Sequence, residues 1–380
     1  MSRLLKRIIF ISCVFALLAG LFAIFIYSIP EPPVGDVEYA LVSLQQASQS
    51  KAQRYSSKLY KAAKANYDSA MVHWQRQNKK FILFRDYSKV TKFAKKSAES
   101  AKKATKNSSK LSKNLVVSVK DKIVSMNSLI DNVDKLFNKL PLPNDIVNKI
   151  SKGRMLLRES ELDFEKGDYL KANSKIETAE DMLLSSYKRT FDDLEEYFSS
   201  QPYWRRLVNN TIENSRKNQS TAVIVDKFAR KLYIYQSGEK KYEYEVEFGK
   251  NWMGRKRLKG DKATPEGIYL VKTKIPSNKT KYYRALLLNY PNSDDIERFN
   301  REKANGTLPR NAQIGGLIEI HGNGGKGTNW TDGCVALTDS NMLKIYNFIQ
   351  VGTPVVIVGS IADFNSIASN YNLKRISKRG

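Results

Sequence analysis

The sequence predicts a multidomain α and β protein: an N-terminal transmembrane helix, an all-α region of helical hairpins and a C-terminal, mainly-β domain. Three observations carry this. Residues 8–29 form an apolar run without a charge. Residues 36–200 keep a helical apolar period, with few glycines and only two prolines, Pro141 and Pro143. From Thr221 onward short β-type runs alternate with Gly, Pro and Asn punctuation. At 380 residues the chain has room for two or three domains.

Composition narrows the chemistry. Hydrophobic residues make up 41% of the chain, enough for a core, so wholesale disorder is excluded. Two cysteines, Cys13 and Cys334, exclude a small disulfide scaffold and a four-cysteine zinc site. Two histidines, His73 and His321, exclude a three-histidine metal site. Lys and Arg number 64 against 38 Asp and Glu, a formal net charge of +26.

The first element is the apolar run. About 20 apolar residues span a bilayer core. Arg3, Lys6 and Arg7 precede the run, and Pro30, Glu31, Pro32 and Pro33 follow it. The positive-inside rule then keeps the N-terminus in the cytoplasm and places the rest outside. A cleaved signal peptide is the alternative, but the run is long for one and no A-x-A site ends it. A lipid attached at Cys13 is a third reading, which Phe10-Ile11-Ser12 fits poorly. With Cys13 in the membrane, Cys334 is the only exported cysteine.

The second element is helical. Tyr55, Leu59, Ala63, Tyr67, Ala70 and Trp74 recur at three- and four-residue steps, as do Val90, Ala94, Ala98, Ala101 and Ala104. The second stripe is mostly alanine, which suits close helix–helix approach. Leu140-Pro141-Leu142-Pro143-Asn144 is a break, and Gly167-Asp168 reads as a further turn. Asp86-Tyr87-Ser88-Lys89 and Asp168-Tyr169-Leu170-Lys171 hint at two related hairpins. A stalk and a folded bundle both fit. Residues 51–120 are strongly basic. A solvated helix face explains them, and export argues against nucleic acid, leaving lipid headgroups or anionic wall polymers as polyanions. His73, beside Trp74, reads as structural.

The third element is the β domain. Residues 222–226, 231–235, 242–248, 268–273, 285–290, 317–321 and 354–358 form seven short runs, which predict a sandwich or barrel-like domain. Ser340 to Gln350 reads as a helix between the last two strands. The expected boundaries are 1–35 for the tip and anchor, 36–200 for the helices, 201–220 for a linker, 221–360 for the β domain and 361–380 for a basic tail.

The chemistry concentrates in Ile320-His321-Gly322-Asn323-Gly324-Gly325-Lys326-Gly327-Thr328-Asn329-Trp330-Thr331-Asp332-Gly333-Cys334-Val335-Ala336. The only histidine of this domain ends a strand, and the exported cysteine follows across a Gly-rich loop. A thiol of ordinary pKa ~8.5 is mostly protonated at neutral pH, and an imidazole beside it activates it. Asp332-Gly333 reads as a tight turn presenting the sulfur, with the Gly333 and Cys334 N–H groups as an oxyanion hole. No carboxylate is placed to orient the imidazole, so a backbone carbonyl, with Gly322 nearest, is the candidate. A buried cysteine and a hydrogen-bonded core histidine are the ordinary alternative.

This stretch resembles the L,D-transpeptidase catalytic domain family, also called YkuD. The resemblance extends to Val225-Asp226 with Lys231-Leu232-Tyr233-Ile234-Tyr235, to Gly260-Asp261-Lys262-Ala263-Thr264-Pro265-Glu266-Gly267-Ile268-Tyr269, and to Leu288-Asn289-Tyr290-Pro291-Asn292. It covers about residues 221–359 and leaves the helical region uncovered. The W-T-D-G-C-[IV]-A form resembles a subgroup: Asp332 stands where other members carry His, and Ala336 where they carry Asn or Arg. Substrate contacts of that arginine therefore do not carry over, and Arg284, Arg310 or Lys326 is the expected replacement.

The resemblance implies peptidoglycan chemistry without metal or organic cofactor. Cys334 would form a thioester with a stem tetrapeptide, releasing D-Ala, and His321 would move the protons. Gly322 would orient the imidazole, Gly333 would line the oxyanion hole, and Asn289, Tyr290, Thr331, Asp332 and Arg284 would bind substrate. The acceptor would be a stem-peptide amine, giving a 3–3 cross-link, or a protein lysine. Alternatives are a hydrolase on the same thioester and an envelope scaffold acting through the helices. Expected partners are stem peptides, the inner membrane, and envelope proteins or anionic wall or lipid surfaces, with the catalytic domain in the periplasm. The resemblance begins near residue 221, so the catalytic fold is expected to stand without residues 51–200.

Overall fold

The computed structural model describes residues 3–375. Contacts divide the chain into two units, Met1–Val124 with Leu156–Glu177, and Ser125–Met155 with Thr178–Gly380.

In the first unit, α1 runs Arg3–Tyr27. Among the described residues it is the one helix long and apolar enough to cross a membrane, by length and composition. Helices α2 (Val34–Gln49), α3 (Ala52–Tyr55) and α4 (Ser57–Asn78) follow, then α5 (Ser88–Phe137) begins. The seam between α4 and the first turns of α5 is made of small residues. Ala63 and Ala70 of α4 are buried with Val90, Ala94, Ala98, Ala101 and Ala104 of α5, the stripe read from the period. Side chains that end at Cβ let backbones approach, and Ser97 Oγ donates to Ala63 O at 2.7 Å. Ala40 and Ala47 of α2 join these clusters. His73 lies flat on Phe93, ring centroids 5.4 Å apart, in a packing role.

Pro143 precedes α6 (Asn144–Glu165), and Asp168 precedes α7 (Tyr169–Phe198). The two similar tetrapeptides therefore both lie at helix starts. Asp86 Oδ1 accepts from Ser88 N at 2.9 Å, while Asp168 pairs with Lys171 at 3.1 Å. In the first unit the end of α6 and the start of α7 are joined by Ser160 Oγ donating to Ala172 O at 2.8 Å.

The second unit holds the sheet. Its strands are β1 (Thr221–Asp226), β2 (Lys231–Gln236), β3 (Glu239–Glu245), β4 (Gly267–Ile275), β5 (Ala285–Leu288), β6 (Glu319–His321), β7 (Val335–Ala336) and β8 (Pro354–Val358). They form one eight-stranded sheet ordered β3-β2-β1-β8-β4-β5-β6-β7. Only β1–β8 and β6–β7 run parallel. The sheet curls until its edges meet: past the end of β3, Glu247 N donates to Ala336 O at 2.9 Å and Ala336 N donates back to Glu247 O at 2.8 Å. The run expected as a strand over 242–248 therefore leaves β2 after Glu245 and crosses to β7. Barrel-like closure is the architecture.

Three expectations need correction. Residues 201–220, expected as a linker, are mostly the helix α8 (Gln201–Lys217). Its Trp204 and Val208 pack on Ile224, Val356 and Val358 of the sheet. A Cβ at Gly359 would run into the Trp204 indole, so only glycine admits this approach. The tail expected over 361–380 is structured through residue 375. Helix α11 (Phe364–Asn370) sets Phe364 against Phe191 and Phe198, and the Tyr187 hydroxyl donates to Lys374 O at 2.9 Å. Residues 376–380 lie outside the described residues. Helix α9 (Ser293–Ala304) was not anticipated, although Asn292 and Asp295 form a full capping box.

Residues before 221 also pack against the β domain. Tyr197 at the end of α7 donates its hydroxyl to Glu266 Oε1 at 2.9 Å, and Trp204 Nε1 donates to Glu266 Oε2 at 3.2 Å. Glu266 in turn pairs with the fully buried Lys227 at 2.6 Å. Phe198, Phe228, Trp204 and Trp252 interlock around this network with ring centroids about 5–6 Å apart. Trp252 Nε1 donates to Lys139 O at 3.2 Å. The helices 125–155 and 178–217 thus build one unit with the sheet.

Candidate active site

His321 closes β6. Its register with β7 sets Ile320 opposite Val335 and His321 opposite Ala336. Side chains alternate along a strand, so Cys334, one step before Val335, shares the face of Ala336 and His321. Strand β7 is only two residues long and was not foreseen, yet its register sets Cys334 on the face that His321 shares, where the thiol donates to Leu317 O at 3.6 Å. Residues 322–333 form the loop between His321 and Cys334.

His321 is fully buried. Its Nδ1 lies 2.6 Å from Gly322 O, so the Nδ1 proton is donated there and Nε2 carries the free lone pair. That Nε2 is buried with no hydrogen-bond partner. A Cβ on Gly322 would collide with Tyr283 O, whose carbonyl also accepts the Gly322 N–H at 3.1 Å. Tyr282 stacks on the imidazole with centroids 3.9 Å apart and planes 12° apart, and Trp330 meets it edge-on at 5.9 Å.

Glu247, absent from every sequence-based reading, fixes the loop. Where the sheet closes, its carboxylate accepts from Gly327 N at 2.6 Å and from Trp330 Nε1 at 2.7 Å. Lys326 Nζ sits 3.3 Å from the Trp330 ring centroid.

Burial pushes the Cys334 thiol up to about 11. The Glu319 backbone amide opposes this, the charges of Glu319 and Asp332 reinforce it, and Lys256 opposes it. Burial likewise drives His321 down to about 4, with the Gly322 carbonyl opposing and Lys281 and Lys326 reinforcing. The resting pair is a neutral thiol and a neutral imidazole. This differs from the thiolate pair that a His beside a Cys would suggest, because both groups are desolvated together.

The remaining candidates divide. Thr331 is buried and shapes the turn: its hydroxyl donates to Cys334 O at 2.8 Å and accepts from Gly333 N at 3.2 Å. The Gly333 N–H, expected in the oxyanion hole, is therefore already engaged. Asn289 Oδ1 accepts from Leu270 N at 2.8 Å, binding β4, and buried Tyr290 donates to Ile314 O at 3.3 Å. Those two, expected to bind substrate, are committed to the fold. Arg284 spreads over Tyr283 and Tyr346, at 5.6 and 5.0 Å. Asp332 and Arg310 are exposed.

The segment from Gly260 to Gly267 is architectural. Asp261 accepts from the Arg257, Leu258 and Ala263 amides and pairs with Lys256 at 2.7 Å. Thr264 Oγ1 accepts from Gly249 N at 3.2 Å, and Glu266 holds Lys227, Tyr197 and Trp204.

Residues 220–357 match YkuD, the L,D-transpeptidase catalytic domain. The helical region before it is outside that match. Solved structures similar to the chain include Bd1075 of Bdellovibrio bacteriovorus, at 24% identity over 40% of this chain and 52% of that one, TM-score 0.29. An L,D-transpeptidase from Mycobacterium smegmatis is 14% identical over 36% and 58%, TM-score 0.24. A mutant of Enterococcus faecium L,D-transpeptidase is 15% identical over 36% and 49%, TM-score 0.24. The chain spans about half the length of these proteins. No curated protein matches it. Both His321 and Cys334 fall inside the YkuD segment, as do Glu247, Glu266 and Lys227.

Proposed function

We propose that the protein is a cysteine L,D-transpeptidase acting on peptidoglycan, held at the membrane by α1 with its catalytic unit in the cell envelope. The observation that carries this reading is the committed Nδ1–Gly322 contact, which leaves the lone pair of His321 Nε2 free on the face that Cys334 shares.

Because both partners rest neutral, proton transfer accompanies attack instead of preceding it. Cys334 Sγ forms a bond to the carbonyl carbon of the stem peptide as its proton passes to His321 Nε2. The Cys334 N–H donates to the oxyanion. The C–N bond then breaks, Nε2 returns the proton to the leaving amine, and a thioester remains. An acceptor amine attacks the thioester, gives its proton to Nε2, and Sγ leaves and is reprotonated. Water in place of the amine gives hydrolysis from the same intermediate.

Incubating the full-length protein with a stem tetrapeptide tests this. Intact mass should show an acyl adduct on Cys334, absent from Cys334→Ser and strongly reduced in His321→Ala, with His73→Ala unaffected. Product release by Cys334→Ser at the wild-type rate would defeat the covalent route. Adding an acceptor stem peptide should yield a cross-linked product, and free tripeptide alone would establish the hydrolase.

A further inference from the structure

Ala336 stands two residues after the nucleophile, so the site lacks a cation there. Two other cations flank the catalytic imidazole. Lys281 Nζ lies over the Tyr282 ring, 4.9 Å from its centroid, and Tyr282 is stacked on His321. Lys326 Nζ lies over Trp330, which meets His321 edge-on. Both lysines are exposed and each is seated on a ring that touches the imidazole. Neither has a carboxylate hydrogen-bonded to it among the described residues. A hydrogen bond to Tyr282, and more weakly the charge of Asp332, raise the Lys281 pKa above its ordinary value.

The reaction places a negative charge there. His321 Nε2 hands its proton to the leaving amine. When the leaving group is a single terminal residue, its α-carboxylate is two bonds from that amine. A carboxylate so tethered falls near the imidazole, whose two neighbouring rings, Tyr282 and Trp330, carry the ammonium groups. Resting on the transpeptidase reading, we propose that Lys281 and Lys326 form a two-sided clamp for the C-terminal carboxylate of the donor peptide. Tyr282 and Trp330 position the lysines against the imidazole, and Glu247 holds Trp330 in place.

The test compares a stem tetrapeptide ending in a free carboxylate with the same peptide ending in a carboxamide. The full-length protein, Lys281→Met, Lys326→Met and the double variant are assayed for acylation of Cys334. Losing charge-assisted contacts to a carboxylate is expected to lower wild-type kcat/KM for the amide at least about tenfold. The double variant should lose that preference, mainly through KM for the acid, and Lys281→Arg with Lys326→Arg should restore it. Equal acylation of wild type by acid and amide overturns the clamp and leaves the transpeptidase reading standing. A preference that survives in the double variant also overturns it and assigns recognition to Arg284 or Arg310. Acylation by neither peptide overturns the transpeptidase reading, and the clamp with it.

Discussion

Two helical regions of this chain pack by opposite means. Between α4 and the start of α5 the contact surface is alanine, and side chains contribute little beyond Cβ. Where the end of α7 and α8 meet the sheet, the surface is Tyr197, Phe198 and Trp204, hydrogen-bonded to a carboxylate that neutralises a buried lysine. The alanine seam buries modest area per residue and tolerates no growth. The aromatic collar buries large area and contains charges whose partners are irreplaceable. A buried ion pair stripped of one member leaves an unpaired charge, which costs far more than the pair itself contributes.

Three experiments press on this contrast. The largest effect belongs to Trp204→Ala, which removes a fully buried indole and one donor to Glu266. Denaturant titration should show a loss of about 3–5 kcal/mol in the catalytic unit. A loss below about 1 kcal/mol would mean that α8 is an accessory. For the same reason, deleting residues 51–200 should destroy the catalytic unit, since Tyr197 and Phe198 go with them.

The second effect comes from pH. His321 folds with its pKa lowered to about 4 from 6.5, so between those values the unfolded chain binds the extra proton. Wild-type stability should therefore fall as pH drops from about 6.5 to about 4, by roughly 3 kcal/mol from this residue. His321→Asn should lack that component, measured as the difference between the two unfolding free energies across the range. Parallel curves would show that the imidazole is not desolvated in the resting site.

The smallest effect is expected at Ala101→Leu in the alanine seam. Overpacking there should cost about 1–3 kcal/mol in the first unit while leaving acylation of Cys334 within about twofold of wild type. A parallel loss of acylation would show that the seam and the catalytic unit communicate.

Much of this was legible locally. The alanine stripe from Val90 to Ala104 is a helical period, and each of its named residues is buried. The strand runs near Ala222, Lys231, Ile268, Ala285 and Pro354 were visible as alternation or β-branched enrichment. His321-Gly322 and Gly333-Cys334 stood out because the chain has only two cysteines and two histidines. Residues 201–217 are helix and not linker, and Pro202 fits because proline is at home in the first turn of a helix. Strand β7 escaped because two residues have no period.

What the sequence by itself determined is whatever repeats within a few residues: the apolar run of α1 and the amphipathic stripes, with His321 and Cys334 singled out as candidates. What only the tertiary structure decided is which distant groups share an environment. Glu247 meets Trp330 because the curled sheet brings its two edges together. Tyr197 and Trp204 meet Glu266 because an aromatic face of two helices finds the sheet. Tyr282 and Trp330 meet His321 because separate loops bring their rings to it. No local pattern encodes such pairs, since the free energy that selects them comes from burial and desolvation completed only when the whole unit is assembled.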